Sequence, residues 1–354
     1  MIKTLSPHYK TIPWMSPSSM TVPDKYILEL YIWDGLKASP PTVTYEINNV
    51  NPLGLVGSTD INISRYINDI LTTSLVSSTT TGLISSDSQV WVKSQVIYYI
   101  GGVAQSAEFI ETDLALRGYG YGAEGSNTST PANGILAYGS EVKVNTDSYY
   151  SLPVFLSETL VTDILIKSYP DNVINKVYAE ALTTDSGDSV KQVWVKVSEA
   201  INESYIEITY NGTVVYTLLI EDELRYNPID IFFTNKEGQL TPITFFKERI
   251  DEMTTSSDNY ESSTGQPKDG VHQFVTFNSN GKSGFNVNSG FVQEENNDIF
   301  KQLFLSNDIW EFNGTDYIPL TKDTQSIEYK TRQKDRLLNY TVKFNYAFNE
   351  VNTI

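Results

Sequence analysis

The side chains able to do chemistry are few in kind. Acidic residues number 43 against 25 Lys and Arg, histidine occurs only at His8 and His272, and cysteine is absent. The chain therefore has no thiol nucleophile, disulfide framework or zinc–thiolate site. The two histidines stand too far apart in sequence for a helical metal motif, and without any G-x-S-x-G stretch they leave little basis for a serine hydrolase. The acid pairs Glu221-Asp222, Asp251-Glu252 and Glu294-Glu295 are sequence neighbours, which point to opposite faces of a strand and so make no dyad. Glycoside hydrolysis needs two carboxyl groups facing each other across a cleft, and 43 acidic residues account for every adjacent pair by chance. Asp185 and Asp188 flank Gly187 and offer calcium some oxygen ligands, but the spaced acids of a dedicated loop are missing, so the segment reads as a turn. Gly118, Gly120, Gly122 and Gly125 alternate with Tyr119 and Tyr121. A phosphate cradle would need a strand before, a helix after and usually a lysine; Ser, Thr and Pro follow, which reads as a linker or exposed loop. Lys330, Arg332, Lys334 and Arg336 are interleaved with Glu328 and Asp335 and read as a solvated strand or loop. No catalytic residue, metal or cofactor is assigned, and the expectation is a protein that is not an enzyme.

The formal charge of -18 repels nucleic acid on average, so no nucleic-acid partner is expected. No window reaches the roughly 20 apolar residues of a membrane helix, and the first residues lack a signal-peptide core, so neither membrane insertion nor secretion is expected. Abundant Gly, Ser, Thr and Asn together with 23 tyrosines suit an all-β chain with many turns.

The elements that would position these side chains follow in order. Pro7, Pro13, Pro17 and Pro23 rule out a regular helix over residues 1–23 and suggest an extended arm. Trp14 and Met15 would anchor it, either on a neighbouring subunit or on the chain's own domain. Strands are expected at 26–33, 42–47, 90–100 and 107–117, with a short amphipathic helix at 64–71 capped by Ser64. Further strands are expected at 173–183, 190–197 and 206–219, the last turning at Asn211-Gly212, the strongest two-residue hairpin signal in the chain.

Residues 226–250 read as a core hairpin: Ile229, Ile231 and Phe233 alternate with Asp230 and Phe232, the turn lies at Asn235–Gly238, and Ile243 and Phe245 resume the pattern. After a polar stretch come strands at 271–277 and 285–291, a two-turn helix bearing Ile299, Phe300, Leu303 and Phe304, and a hairpin through Asn313-Gly314. A last strand at 337–348 places Leu338, Tyr340, Val342, Phe344 and Tyr346 on one side.

The chain thus reads as mainly β, with two or three β-sandwich-like domains, short helices and an extended Pro-rich N-terminal arm. The arm occupies 1–23, an immunoglobulin- or fibronectin-like sandwich 24–117, a Gly/Tyr/Ser-rich linker or loop 118–150, and a second β domain 151–250. A polar loop at 251–270 leads to a C-terminal β region at 271–354, either continuous with the second domain or separate.

Four phrases carry a family likeness: SPHYKTIPW leading to YILELYIWDG; GYGYGAEGSN at 118–127; YNPIDIFFTNKEG followed by ITFFKER; and QLFLSNDIW, YIPL and LLNYTVKFNYAFN near the end. Together they resemble structural proteins of tailed phages infecting Bacteroidota such as flavobacteria. The resemblance implies a virion component, of the tail or baseplate, made in the host cytoplasm. It also implies partners among other virion structural proteins and a homo-oligomeric, ring-like assembly. Trp14, Met15, Tyr119 and Tyr121 are the candidate interaction residues. Two other readings stand beside it. A receptor- or carbohydrate-binding module contacting host surface glycan would line up Trp33, Trp91, Trp194 or Trp310 on one open sheet face. A polysaccharide-cleaving enzyme would set two carboxylates across a groove.

Overall fold

A computed structural model describes residues 1–16, 18, 22–50, 57–122, 134–223, 225–262, 270, 272–293, 296–323 and 337–351. The protein is mainly β, built from several sheets, one of them a curled half-barrel.

The first sheet has the order Ile2–Lys3, Glu108–Leu116, Gln89–Ile100, Lys25–Trp33, Tyr45–Val50, with Val103–Ala104 added on Gln89–Ile100. The period-2 pattern of Lys25–Trp33 sends Tyr26, Leu28, Leu30 and Ile32 to one face, beside Val90, Val92, Val96 and Tyr98. That face is closed by Ile12, Ile63, Ile67 and Leu71, brought over it by a two-stranded sheet, Tyr9–Pro13 with Ser58–Asn62, and by the helix Ser64–Asn68. Ser64 is not the cap of this helix. Its hydroxyl donates to the Ser6 carbonyl (2.7 Å), while the Asn62 side chain accepts the Ser64 and His8 amides.

The expected Pro-rich arm is not present. Ile2–Lys3 runs parallel to Ala115–Leu116, Tyr9–Pro13 pairs with Ser58–Asn62, and Ile2 and Ile12 lie in the core. The Lys3 side chain is buried and meets Glu237 at 2.8 Å. Proline excludes a segment from the interior of a ladder but not from its ends, and Pro13 is the last residue of its strand while Pro7 lies between the two strands.

In the middle of the chain a five-stranded sheet, Glu141–Asn145, Thr213–Glu221, Tyr205–Tyr210, Thr162–Tyr169, Asn175–Glu180, faces a three-stranded one, Tyr149–Leu156, Ser189–Lys196, Gly82–Ser85. Val144, Ile164, Ile166, Ile206, Ile208 and Leu218 meet Leu152, Val154, Val193 and Val195 in a shared core. The Asn211-Gly212 turn has positive φ at both residues (49° and 77°), as its sequence requires. Two strands arise inside the stretch read as a linker, Glu141–Asn145 and the start of Tyr149–Leu156. Residues 123–133 lie outside the described ones.

The last sheet has seven strands in the order Leu240–Phe245, Ile229–Thr234, Ile309–Phe312, Tyr317–Lys322, Thr341–Tyr346, Phe274–Asn288, Ile250–Glu261. Three strands separate those of Phe245 and Phe344, so a flat sheet would hold them about 19 Å apart, yet their ring centroids are 6.1 Å apart. The sheet therefore curls, and the helix Asn297–Leu305 fills its hollow. Phe300 of that helix lies 4.3 Å from the Tyr340 ring and 6.3 Å from Phe245. On the convex side Phe232, Leu240 and Phe312 meet Trp194 and Tyr149, whose three-stranded sheet is thereby covered on its second face too. The stretch read as a polar loop at 251–270 instead carries the twelve-residue strand Ile250–Glu261. Its polar composition conceals it, because both of its faces are wet.

Deleting residues 1–13 removes two buried isoleucines worth about 1.5–3 kcal/mol each, so the shortened chain is expected to lose about 3–6 kcal/mol in denaturant unfolding. An unchanged unfolding midpoint would show that this segment is a dispensable arm after all.

Candidate interaction surface

Of the candidate interaction residues, Trp14, Tyr119 and Tyr121 make contacts within the chain. Trp14 is half-buried, edge-on to Tyr26 at 5.2 Å, and its amide donates to the Gly57 carbonyl (2.7 Å). Met15 beside it is also half-buried. Tyr119 donates its amide to the Lys236 carbonyl (2.8 Å), and its ring lies 6.0 Å from that of Tyr121. Burial, and then the charges of Asp298 and Glu237, hold the Tyr119 hydroxyl above its ordinary pKa range. Tyr121 donates to Asp298 (3.0 Å), and the ammonium groups of Lys301 and Lys236 lie 3.4 and 4.6 Å from its ring centre. The two tyrosines thus fasten residues 118–122 to the turn Asn235–Gly238 and to the helix Asn297–Leu305. Glycine is required on both sides of this crossing: a Cβ on Gly118 would stand 2.6 Å from the Lys236 oxygen, and one on Gly238 2.4 Å from the Arg117 carbonyl carbon.

The acid pairs are split among separate cations. Glu221 pairs with Lys143, Asp251 with Arg249 and Glu252 with Lys343. Glu294 and Glu295, like the basic cluster at 330–336, lie outside the described residues. The Asp188 carboxylate accepts the Glu158 amide (2.9 Å), and Thr183 and Ser186 close the turn around Asp185. Among the described residues no group of three His, Asp or Glu is placed to hold a metal, and no helix is long and apolar enough to cross a membrane.

A groove of about 450 Å³ runs between Tyr9–Pro13 and the first sheet, with Leu28, Val96 and Ile12 among its apolar lining and Glu111 and Asp113 among its charged residues. Both carboxylates sit on one strand and converge on Lys10, so they do not face each other across the groove. Burial, and then the Lys10 charge, lowers the pKa of His8 at its edge. Trp33, Trp91 and Trp194 are buried and Trp310 half-buried; none belongs to an open aromatic row.

Among the described residues, Ile250–Glu261 and the outer half of Phe274–Asn288 form a largely exposed ribbon. Every residue of Ile250–Glu261 is exposed. At its root Arg249 donates to Asp251 (2.7 Å), Glu311 (2.6 Å) and Tyr346 (2.9 Å) and stacks 4.2 Å from the Phe285 ring centre, which pins the ribbon to the concave face. Further out, beyond the pairing of Gly284–Asn288 with Thr341–Asn345, Glu350 and Val351 still bond Gly281 and Asn280, and past these the described residues of the two strands pair with each other. There the Tyr260 and Phe277 rings touch at 5.7 Å while remaining 51 % and 49 % exposed, with Phe274 exposed on the opposite face. An isolated two-stranded ribbon is marginal in water. Two aromatic rings are thus held half-open to solvent on this ribbon, which its polarity and lack of apolar alternation hid in the sequence.

The sequence pattern of 229–245 also did not reveal that Asp230 is buried. Its carboxylate accepts the Ser148 hydroxyl (2.8 Å), the Thr244 hydroxyl (2.7 Å) and the Tyr149 amide (3.0 Å), which joins the last sheet to the three-stranded one. Burial raises its pKa, against the opposing pull of these three hydrogen bonds.

Comparison with protein-family models, curated proteins and solved structures finds no match to the chain.

Asp230→Ala orphans three buried donors and is expected to cost about 3 kcal/mol or more. Asp230→Asn keeps an acceptor for the Tyr149 amide, and both hydroxyls can turn to accept its NH2 group. Because the folded carboxyl holds its proton more tightly than the unfolded one, wild-type stability falls as pH rises from about 3.9 through the raised folded value. The Asn variant lacks that fall, so its advantage over wild type should widen through this window and stay level above it. Denaturant unfolding of the three proteins across pH 3–8 measures both effects, and parallel pH profiles for wild type and Asp230→Asn would refute the assignment.

Proposed function

We propose that the chain is a structural protein of a tailed-phage virion, part of the tail or baseplate, acting through assembly with other virion proteins and with copies of itself. On this reading its sheets form two or three β-sandwich-like domains, it is made in the host cytoplasm, and it ends up in the particle. The observation that carries the reading is the ribbon. A strand of twelve exposed residues leaving a well-packed half-barrel, with an aromatic pair held open on it, is built to be covered by another protein surface. The four phrases that resemble phage structural proteins supply the kind of assembly. The ion-paired groove carboxylates and the buried tryptophans give the enzymatic and glycan-binding readings no comparable support.

Mass spectrometry of purified particles is the direct test. The chain should be found in banded virions at a fixed stoichiometry to the major structural proteins. Finding it in the lysate and not in washed particles would overturn the proposal.

A further inference from the structure

Among the described residues the ribbon's outer strand is a free edge: Ile250–Glu261 ends the seven-stranded order and no described strand pairs with its other side. Natural edges are usually guarded by charged side chains, above all lysine, by proline or by a bulge, and here the four carboxylates Asp251, Glu252, Asp258 and Glu261 exclude the registers that oppose them. This strand contains neither Lys nor Pro, and the irregularity near Ser256 inserts its extra residue in the inner strand, where Asn278 has φ 51°. The edge itself remains straight and open.

We infer that the occupant of this edge is a second copy of the chain, paired antiparallel through the same strand about a two-fold axis at Ser257. Such an axis must pass through an opposed residue pair, so one residue faces its own copy. The charges then select the register. An axis at Thr255 sets Glu252 opposite Asp258, one at Ser256 sets Asp251 opposite Glu261, and one at Asp258 opposes that residue to itself. With the axis at Ser257, Asp258 faces the Ser256 hydroxyl, Asn259 faces Thr255, Tyr260 faces Thr254 and Glu261 faces Met253, so no carboxylate meets another. Axes at Met253 and Thr254 also avoid opposed acids but leave residues 259–261 and the aromatic pair uncovered, and axes at Asn259 and Tyr260 avoid them but pair five residues of the strand or fewer. The Ser257 register covers the outer ribbon that its own sheet does not support. It also brings Tyr260 and Asp258 to the face where Lys282, paired with Thr254, lies on the second copy. The two seven-stranded sheets become one continuous sheet across the axis.

This pairing rests on the assembly reading above, and cross-linking separates the two because the native chain has no cysteine. Ser257→Cys should oxidise to a covalent dimer, since opposed Cα atoms in such a ladder lie about 4.5–5.5 Å apart, within disulfide reach. Thr254→Cys, about 20 Å from its own copy in this register, should stay uncross-linked. By light scattering the wild type should run at twice the chain mass. Ser257→Lys, with two ammonium groups at the axis, should run as a monomer with an unchanged unfolding midpoint. A monomeric wild type, or Thr254→Cys cross-linking as fast as Ser257→Cys, would overturn the pairing. If the chain is nevertheless a stoichiometric virion component, only the pairing falls and the assembly role stands.

Discussion

The rest of this fold depends on a three-stranded sheet with no wet face. Tyr149–Leu156, Ser189–Lys196 and Gly82–Ser85 give Leu152, Val154, Val193 and Val195 to the five-stranded sheet on one side. They give Tyr149 and Trp194 to the half-barrel, and Phe155 and Val190 to Trp33, Trp91 and Leu116 of the first sheet, on the other. A strand covered on both sides cannot follow the simple rule of apolar in, polar out. Every side chain along it must be apolar or find a partner inside. Gln192 shows the consequence. It accepts the Ser151 hydroxyl (2.9 Å) and donates to Gln239 (3.3 Å), which in turn accepts from Ser86 (3.2 Å) and donates to the Ser88 carbonyl (3.4 Å). This polar thread crosses the centre of the molecule from the sheet to the hairpin of the half-barrel, and each member would cost about 1–3 kcal/mol if left unpaired.

The same requirement organises the surrounding pieces. Asp230 is tolerated in the interior because three donors converge on it from two sheets. Lys3 is tolerated because Glu237 lies at 2.8 Å, and the turn that carries Glu237 is itself held by Asn235, whose side chain bonds the Leu136 carbonyl, Thr241 and the amides of Glu237 and Gln239. Arg117 reaches Asp308 at 2.6 Å and Thr73 at 3.2 Å, so residues from three distant parts of the sequence share one charged contact. The N-terminal residues are locked into this arrangement rather than free to reach a neighbour.

The ribbon is the opposite case. Its strands leave the buried assembly, keep no side chain out of water on the outer strand, and hold their geometry through backbone pairing and the Arg249 clamp at the root. The contrast is between a centre threaded by hydrogen-bonded polar groups such as Gln192, Gln239 and Asp230 and a ribbon that carries two half-open rings.

Much of the local structure was legible in the sequence. Asn211-Gly212 and the Asn235–Gly238 turn announce themselves because positive φ is open to few residues. The strand Thr341–Tyr346 and the helix Asn297–Leu305 announce themselves because their apolar spacing matches the period of one element, and Phe233 and Phe245 are buried as their alternation requires, at 1 % and 0 % exposed. What the sequence left open was partner choice. Gly82–Ser85 pairs with residues more than a hundred positions away, and Ile2–Lys3 is too short to carry a pattern. Ile250–Glu261 has no apolar period because neither of its faces is buried. Trp14 reads equally well as an anchor for a neighbour or for its own domain, and its edge-on contact with Tyr26 is a property of the tertiary structure alone. Local backbone preference and side-chain period are properties of adjacent residues, so sequence alone determined the strands with an apolar period, the Asn-Gly-type turns and the mainly β class. Which face lies against which, and which carboxylate is buried or which edge left bare, depends on surfaces contributed from elsewhere in the chain, and these only the tertiary structure decided.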